Sequence, residues 1–132
     1  MRSGLGRIIV YTKRIPEMVD FYSEFFGFSA VQRPGDRLVE LRPNGGGIFI
    51  LLHPAAKGQK EGQALVKLVF DVEDVPEFLR LASKKGLVWG AIHQADGYVF
   101  ANAKDPSGNS VSISSRAFMD RSGSLLDAPD IS

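Results

Sequence analysis

The sequence predicts an α+β fold of two βαβββ modules whose sheets form a curved, incomplete barrel. Three observations carry that prediction. Residues 7–27 (RIIVYTKRIPEMVDFYSEFFG) and residues 67–86 (KLVFDVEDVPEFLRLASKKG) superpose without a gap through Ser23 and Ser83 when one is shifted by 60 positions. Arg7 then falls on Lys67, Val10 on Phe70, and Pro16-Glu17 on Pro76-Glu77. Each copy also runs from an alternating strand, through a short connection, to a helix that stops at a glycine. Each is followed by short strand-like segments set off by turn residues. A period this long exceeds a solenoid repeat and fits two equivalent modules in one small domain. Residues 1–132 are therefore read as a single domain: module one over about 7–53, a linker over 54–64, module two over about 66–115, and a tail over 116–132.

In residues 7–12, Ile8, Val10 and Thr12 share one side of a strand, and Arg7, Ile9 and Tyr11 the other. Pro16 suits a first helical turn, where its missing N–H costs nothing. Met18, Phe21, Tyr22 and Phe25 follow as an apolar stripe, and Gly27 is placed to end the helix in the left-handed conformation. Residues 28–33 and 37–42 read as strands. Pro43-Asn44-Gly45 reads as a hairpin with a type I′ turn, and Ile48–Leu52 as a fourth strand apolar on both faces. Residues 54–64 (PAAKGQKEGQA) have no periodicity. Module two repeats the plan: Leu68, Phe70 and Val72 oppose Lys67, Val69 and Asp71, Pro76 opens a helix, and Gly86 closes it. Strands are expected at Val88–Ala91, Tyr98–Lys104 and 110–114 (SVSIS), with Asp105–Asn109 as a turn and a helical turn at Ala117–Arg121. Each strand with one apolar face packs under a helix. The polar faces then line a concave side, where a ligand cavity would lie.

The composition is that of a globular domain, 44% apolar and 23% charged. A net charge of +1, without basic runs interleaved with aromatics, points away from nucleic acid. The absence of cysteine excludes disulfides and thiolate chemistry. No apolar stretch nears the roughly 20 residues of a membrane helix, and Ile8–Tyr11 is too short for a signal sequence. A cytoplasmic protein with no membrane partner is expected.

The βαβββ repeat, the Phe21-Tyr22 pair followed by Phe26-Gly27-Phe28, and the Asp105-Pro106-Ser107-Gly108-Asn109 turn resemble the vicinal oxygen chelate superfamily. That group includes glyoxalases, extradiol dioxygenases, methylmalonyl-CoA epimerases and the bleomycin resistance proteins. The resemblance spans about residues 7–115 and implies a glyoxalase/bleomycin-resistance-like fold and a homodimer. Metalloenzymes of this group hold a divalent metal on the concave face. The resemblance carries their ligand positions onto Arg7, Ile50, Lys67 and Ser112. Arginine has no free lone pair, isoleucine no donor atom, and a protonated lysine repels cations. A metal-free branch without a cofactor is thus expected, resembling the resistance-type proteins that sequester a small molecule without chemistry. The alternative is a lyase or isomerase acting on a small acid or CoA-linked substrate, with His53 or Asp71 as base.

Two accounts of Arg7 and Lys67 stand side by side. They bind an anionic ligand, or they are internally paired, Arg7 with Glu40 and Lys67 with Asp71. Tyr11, Trp89, Tyr98 and Phe100 are candidate walls for a flat ligand, although aromatics in a domain this size are first of all core. Ser112 is a candidate polar contact. Asn44–Gly47 lacks the strand–loop–helix setting of a phosphate loop.

Overall fold

The computed structural model describes residues 3–119 and Leu126. Module one contains β1 (Arg7–Thr12), α1 (Ile15–Phe26), β2 (Ser29–Val31), β3 (Val39–Arg42) and β4 (Phe49–Pro54). Module two contains β5 (Lys67–Asp71), α2 (Val75–Lys84), β6 (His93–Gln94), β7 (Val99–Lys104) and β8 (Ser110–Ser114), followed by a 3₁₀ turn at Arg116–Phe118. The sheets have matching orders, β1-β4-β3-β2 and β5-β8-β7-β6. In each, the first strand runs parallel to the last and the remaining pairs are antiparallel. Both sheets are open, and β1 and β5 stand at their edges.

Local chemistry explains the helix limits. Pro16 lies in the first turn of α1, and Gly27 takes φ 72°. The Gly27 and Phe28 N–H groups then donate to Ser23 and Tyr22 carbonyls at 3.1 and 3.3 Å. In α2 the Asp74 carboxylate accepts from the Glu77 N–H at 3.1 Å, a side-chain cap that α1 lacks. Met18, Phe21 and Tyr22 are buried beneath α1 against Leu41, Ile50 and Leu52. In module two Val75, Ala82, Val111 and Ile113 do the same work.

One apolar core spans both modules, and Phe26 joins them. Its ring stacks on Phe70 of β5 with centroids 3.7 Å apart and approaches Phe78 and Trp89. Trp89 is buried in this junction, and its indole N–H has no partner among the described residues.

Several expectations shift. Val88–Ala91 forms no strand. Trp89 turns into the core, only the Gly90 N–H reaches β7 (to Asn102), and the sixth strand is His93–Gln94. The β3–β4 connection is not a two-residue type I′ turn, because Gly45 has positive φ and Asn44 does not. β4 extends through His53 and Pro54. The helical turn expected at 117–121 is the 3₁₀ turn at Arg116–Phe118, and Asp120 and Arg121 lie outside the described residues.

Candidate functional site

Strands β1 and β5 turn their free edges to a groove of about 1250 Å³. Ile9 and Tyr11 of β1, Lys67 and Val69 of β5, and the rings of Phe26 and Phe70 line it. Its walls are chiefly apolar, with a few polar groups such as Gln59, Asp71 and Ser110. Such a lining suits an organic molecule held by shape and a small number of polar contacts.

Of the residues singled out in the sequence, the groove brings together Tyr11, Ile50, Lys67 and Asp71; Arg7, His53, Tyr98, Phe100 and Ser112 are not among its lining. Ile50 is only 2% exposed and faces the helix side beside Ile8. The residues of β4 on the Arg7 face are Phe49, Leu51 and His53, paired with Arg7, Ile9 and Tyr11. Because Val69 pairs with Ser112, module symmetry makes Leu51, not Ile50, the mate of Ser112. A one-residue offset in a strand moves a side chain to the opposite face. Ser112 is itself buried, and its hydroxyl donates to the Ala101 carbonyl at 3.0 Å.

Neither expected ion pair forms. Glu40 engages Arg42 at 2.7 Å, while the Arg7 guanidinium lies 4.8 Å from the Phe49 ring centroid. Lys67 donates to Asn102 Oδ1 at 3.0 Å, with its ammonium 5.9 Å from the Phe100 centroid. Both module-leading cations therefore rest on aromatic rings. Phe100 also stacks on His93, and Arg116 covers Tyr98. His53 Nδ1 lies 2.8 Å from the Pro54 carbonyl, which only accepts, so Nδ1 donates this bond.

The residues present do not fit a divalent metal. Arg7, Leu51 (in place of Ile50), Lys67 and Ser112 offer no imidazole, carboxylate or thiolate. Among the described residues, no three His, Cys, Asp or Glu side chains form a metal-holding group.

A second polar cluster, absent from the sequence reading, fastens the modules together beside the groove. Tyr22 Oη donates to Asp105 Oδ2 at 2.8 Å, and Asp105 Oδ1 accepts from the Ser107 and Asn109 N–H groups at 2.9 Å each. The Thr12 and Ser107 hydroxyls lie 2.6 Å apart, with Glu61 Oε1 2.9 Å from Ser107 and 3.2 Å from Thr12. Two hydroxyl protons serve these three contacts, so the two hydroxyls share them between each other and Glu61 Oε1. Glu61 also accepts from the Lys13 N–H at 2.6 Å. The Lys13 N–H, helped by the Ser107 and Thr12 hydroxyls and the charge of Arg14, holds the Glu61 carboxyl below its usual range. Burial, then the charge and hydrogen bond of Asp105, push the Tyr22 phenol up. Nothing in the aperiodic 54–64 stretch marks Glu61; the Asp105–Asn109 turn and the Phe21-Tyr22 pair were the visible parts of this cluster.

A family model described as Glyoxalase/Bleomycin resistance protein/Dioxygenase superfamily matches residues 4–113. The chain belongs to this superfamily. No curated protein matches its sequence significantly. Among solved structures sharing the superfamily fold is TnmS3, an antibiotic binding protein from Streptomyces sp. CB03234. It is 20% identical with TM-score 0.71, covering 85% of this chain and 94% of that one. A superfamily member from Sphaerobacter thermophilus is 18% identical with TM-score 0.69, covering 86% and 97%. A lactoylglutathione lyase from Agrobacterium tumefaciens is 19% identical with TM-score 0.65, covering 86% and 94%. At such identities the likeness is one of fold, and fold alone does not choose between a binding protein and a lyase.

Proposed function

We propose that this superfamily member binds a small organic molecule in the groove between β1 and β5, without a metal and without chemistry. The observation that carries the reading is the lining itself: an apolar, aromatic groove, with no group of His, Cys, Asp or Glu side chains able to hold a metal among the described residues. The antibiotic binding described for TnmS3 is in keeping with a resistance-type, sequestering role. The same proposal includes a homodimer, since open sheet edges invite a partner. Light scattering tests that part; a mass of one 14.4 kDa chain at micromolar concentration would count against it.

Binding is tested with N-phenyl-1-naphthylamine, a neutral aromatic compound that fluoresces in apolar surroundings. Micromolar binding is expected, lost on placing a charge in the groove with Val69→Glu. Absence of binding, or binding indifferent to Val69→Glu, would sink the proposal. A lyase or isomerase is the second reading, favoured by His53, whose Nδ1 is engaged by the Pro54 carbonyl and whose other ring nitrogen makes no hydrogen bond among the described residues. It requires solvent-deuterium exchange into a small acid or CoA-linked substrate, abolished by His53→Gln.

A further inference from the structure

We infer that the groove ligand carries an acidic group, received at its module-two side by Lys67, Ser110 and Lys104; this inference rests on the groove reading above. In the sheet register, Lys67 of β5, Ser110 of β8 and Lys104 of β7 stand in one cross-strand row. Side chains of such a row share a face, and the outer two are separated by two strand spacings, about 10 Å. Lys67 and Ser110 line the groove, and Lys104 stands one strand further out. The Lys104 ammonium touches the Ser110 hydroxyl at 2.8 Å, and the Lys67 ammonium is held at 3.0 Å by the neutral Asn102 amide.

Two like charges flank a hydroxyl, and an anion lying between them would be attracted by both. No carboxylate takes that place among the described residues, because neither lysine takes part in an ion pair there. Asp71 shares the Lys67 face of β5 but lies four residues along the strand, about 13 Å away. Glu40 is engaged by Arg42, and Glu61 by Lys13, Thr12 and Ser107. Val69, two residues along the same face of β5, and Ile9 and Tyr11 of β1 offer an apolar groove surface for the body of such a ligand. A carboxylate or sulfonate on a flat, largely apolar compound meets both features at once, with the head over Ser110 and the body against β1 and β5.

The test uses two probes that differ by one group. 8-Anilino-1-naphthalenesulfonate is N-phenyl-1-naphthylamine bearing a sulfonate, and both report binding by fluorescence. Wild type is expected to prefer the sulfonate. Lys67→Met with Lys104→Met is expected to weaken sulfonate binding about tenfold, each exposed charge contributing a few-fold, while the neutral probe changes less than about twofold. The Lys67→Gln and Lys104→Gln pair repeats the measurement with polar side chains, and an unchanged thermal midpoint certifies folding. Raising the salt concentration is expected to weaken only the sulfonate. If the preference survives in both double variants, the acidic-ligand inference is overturned while the groove reading stands. If neither probe binds wild type, both are overturned.

Discussion

The Tyr22 hydroxyl donates to Asp105 Oδ2 at 2.8 Å, fastening the helix of module one to the last turn of module two. Tyr22→Phe removes this bond and leaves Asp105 with its bonds from Ser107 and Asn109. A hydrogen bond to a charged acceptor contributes about 1.5–3 kcal/mol, and the remaining donors soften the loss. Urea unfolding followed through Trp89 should show a loss of about 1–2 kcal/mol.

The same pair sets an alkaline limit. The phenol of Tyr22 is raised above its ordinary value of 10.0 by burial first, then by Asp105. Folding therefore favours the neutral ring; its contribution is complete below pH 10.0 and is lost as the pH climbs past it. Thermal midpoints measured between about pH 9 and pH 12 should fall steeply for wild type and less steeply for Tyr22→Phe. Parallel curves would show that Tyr22 does not govern the transition.

Glu61 sets the opposite limit. Its carboxyl is lowered below 4.5 in the folded chain, chiefly by the Lys13 N–H. Its stabilisation is full above the unfolded value and disappears as the pH falls through the folded one. Glu61→Gln should cost about 1–2 kcal/mol at neutral pH and flatten the acid side of the stability curve. Chemical unfolding at a series of pH values from neutral to about pH 3 reads both effects.

Gly62 passes so close to the β7–β8 turn that a Cβ there would meet the Ser107 and Gly108 carbonyl oxygens at 3.0 Å, and its φ is +72°. Gly62→Ala should destabilise by about 1–3 kcal/mol. Gly58→Ala, in the same connection but in open space, should be nearly neutral. Equal midpoints for the two variants would contradict the contact.

Nickel, zinc, manganese or iron should leave the thermal midpoint unchanged, and elemental analysis should find no stoichiometric metal. The reason is the donor set of Arg7, Leu51, Lys67 and Ser112. One equivalent of metal per chain, lost in His53→Gln, is the contrary result.

The 60-residue repeat, Pro16, Gly27 and the SVSIS alternation made the modules legible, because each acts within a few residues. Those signals say little about which charges meet. Arg42 reaches Glu40 two residues away on the same strand face, a choice of rotamer that no spacing encodes. Ile50 was displaced by one position because β4 has no internal marker, and Val88–Ala91 lost its strand to the burial of Trp89. The groove was foreshadowed as a concave polar face; its walls along two sheet edges depend on how the modules meet. That meeting rests on Phe26, Thr12 and Glu61, whose partners lie far along the chain.

The Thr12–Ser107 contact joins residues 95 positions apart, which has a consequence for the growing polypeptide on the ribosome. Every strand of the first sheet has been synthesised once Pro54 is made, before Lys67 exists. Phe26 must still wait for Phe70, and Thr12 and Tyr22 for residues 105–107. At about 5–20 residues per second, the 53 residues from Pro54 to Ser107 take roughly 3–11 s. Phe26 gains its partner early in that interval, but the tyrosine hydroxyl stays unanswered to its end, so the turn at Asp105–Asn109 is what closes the window for misassembly.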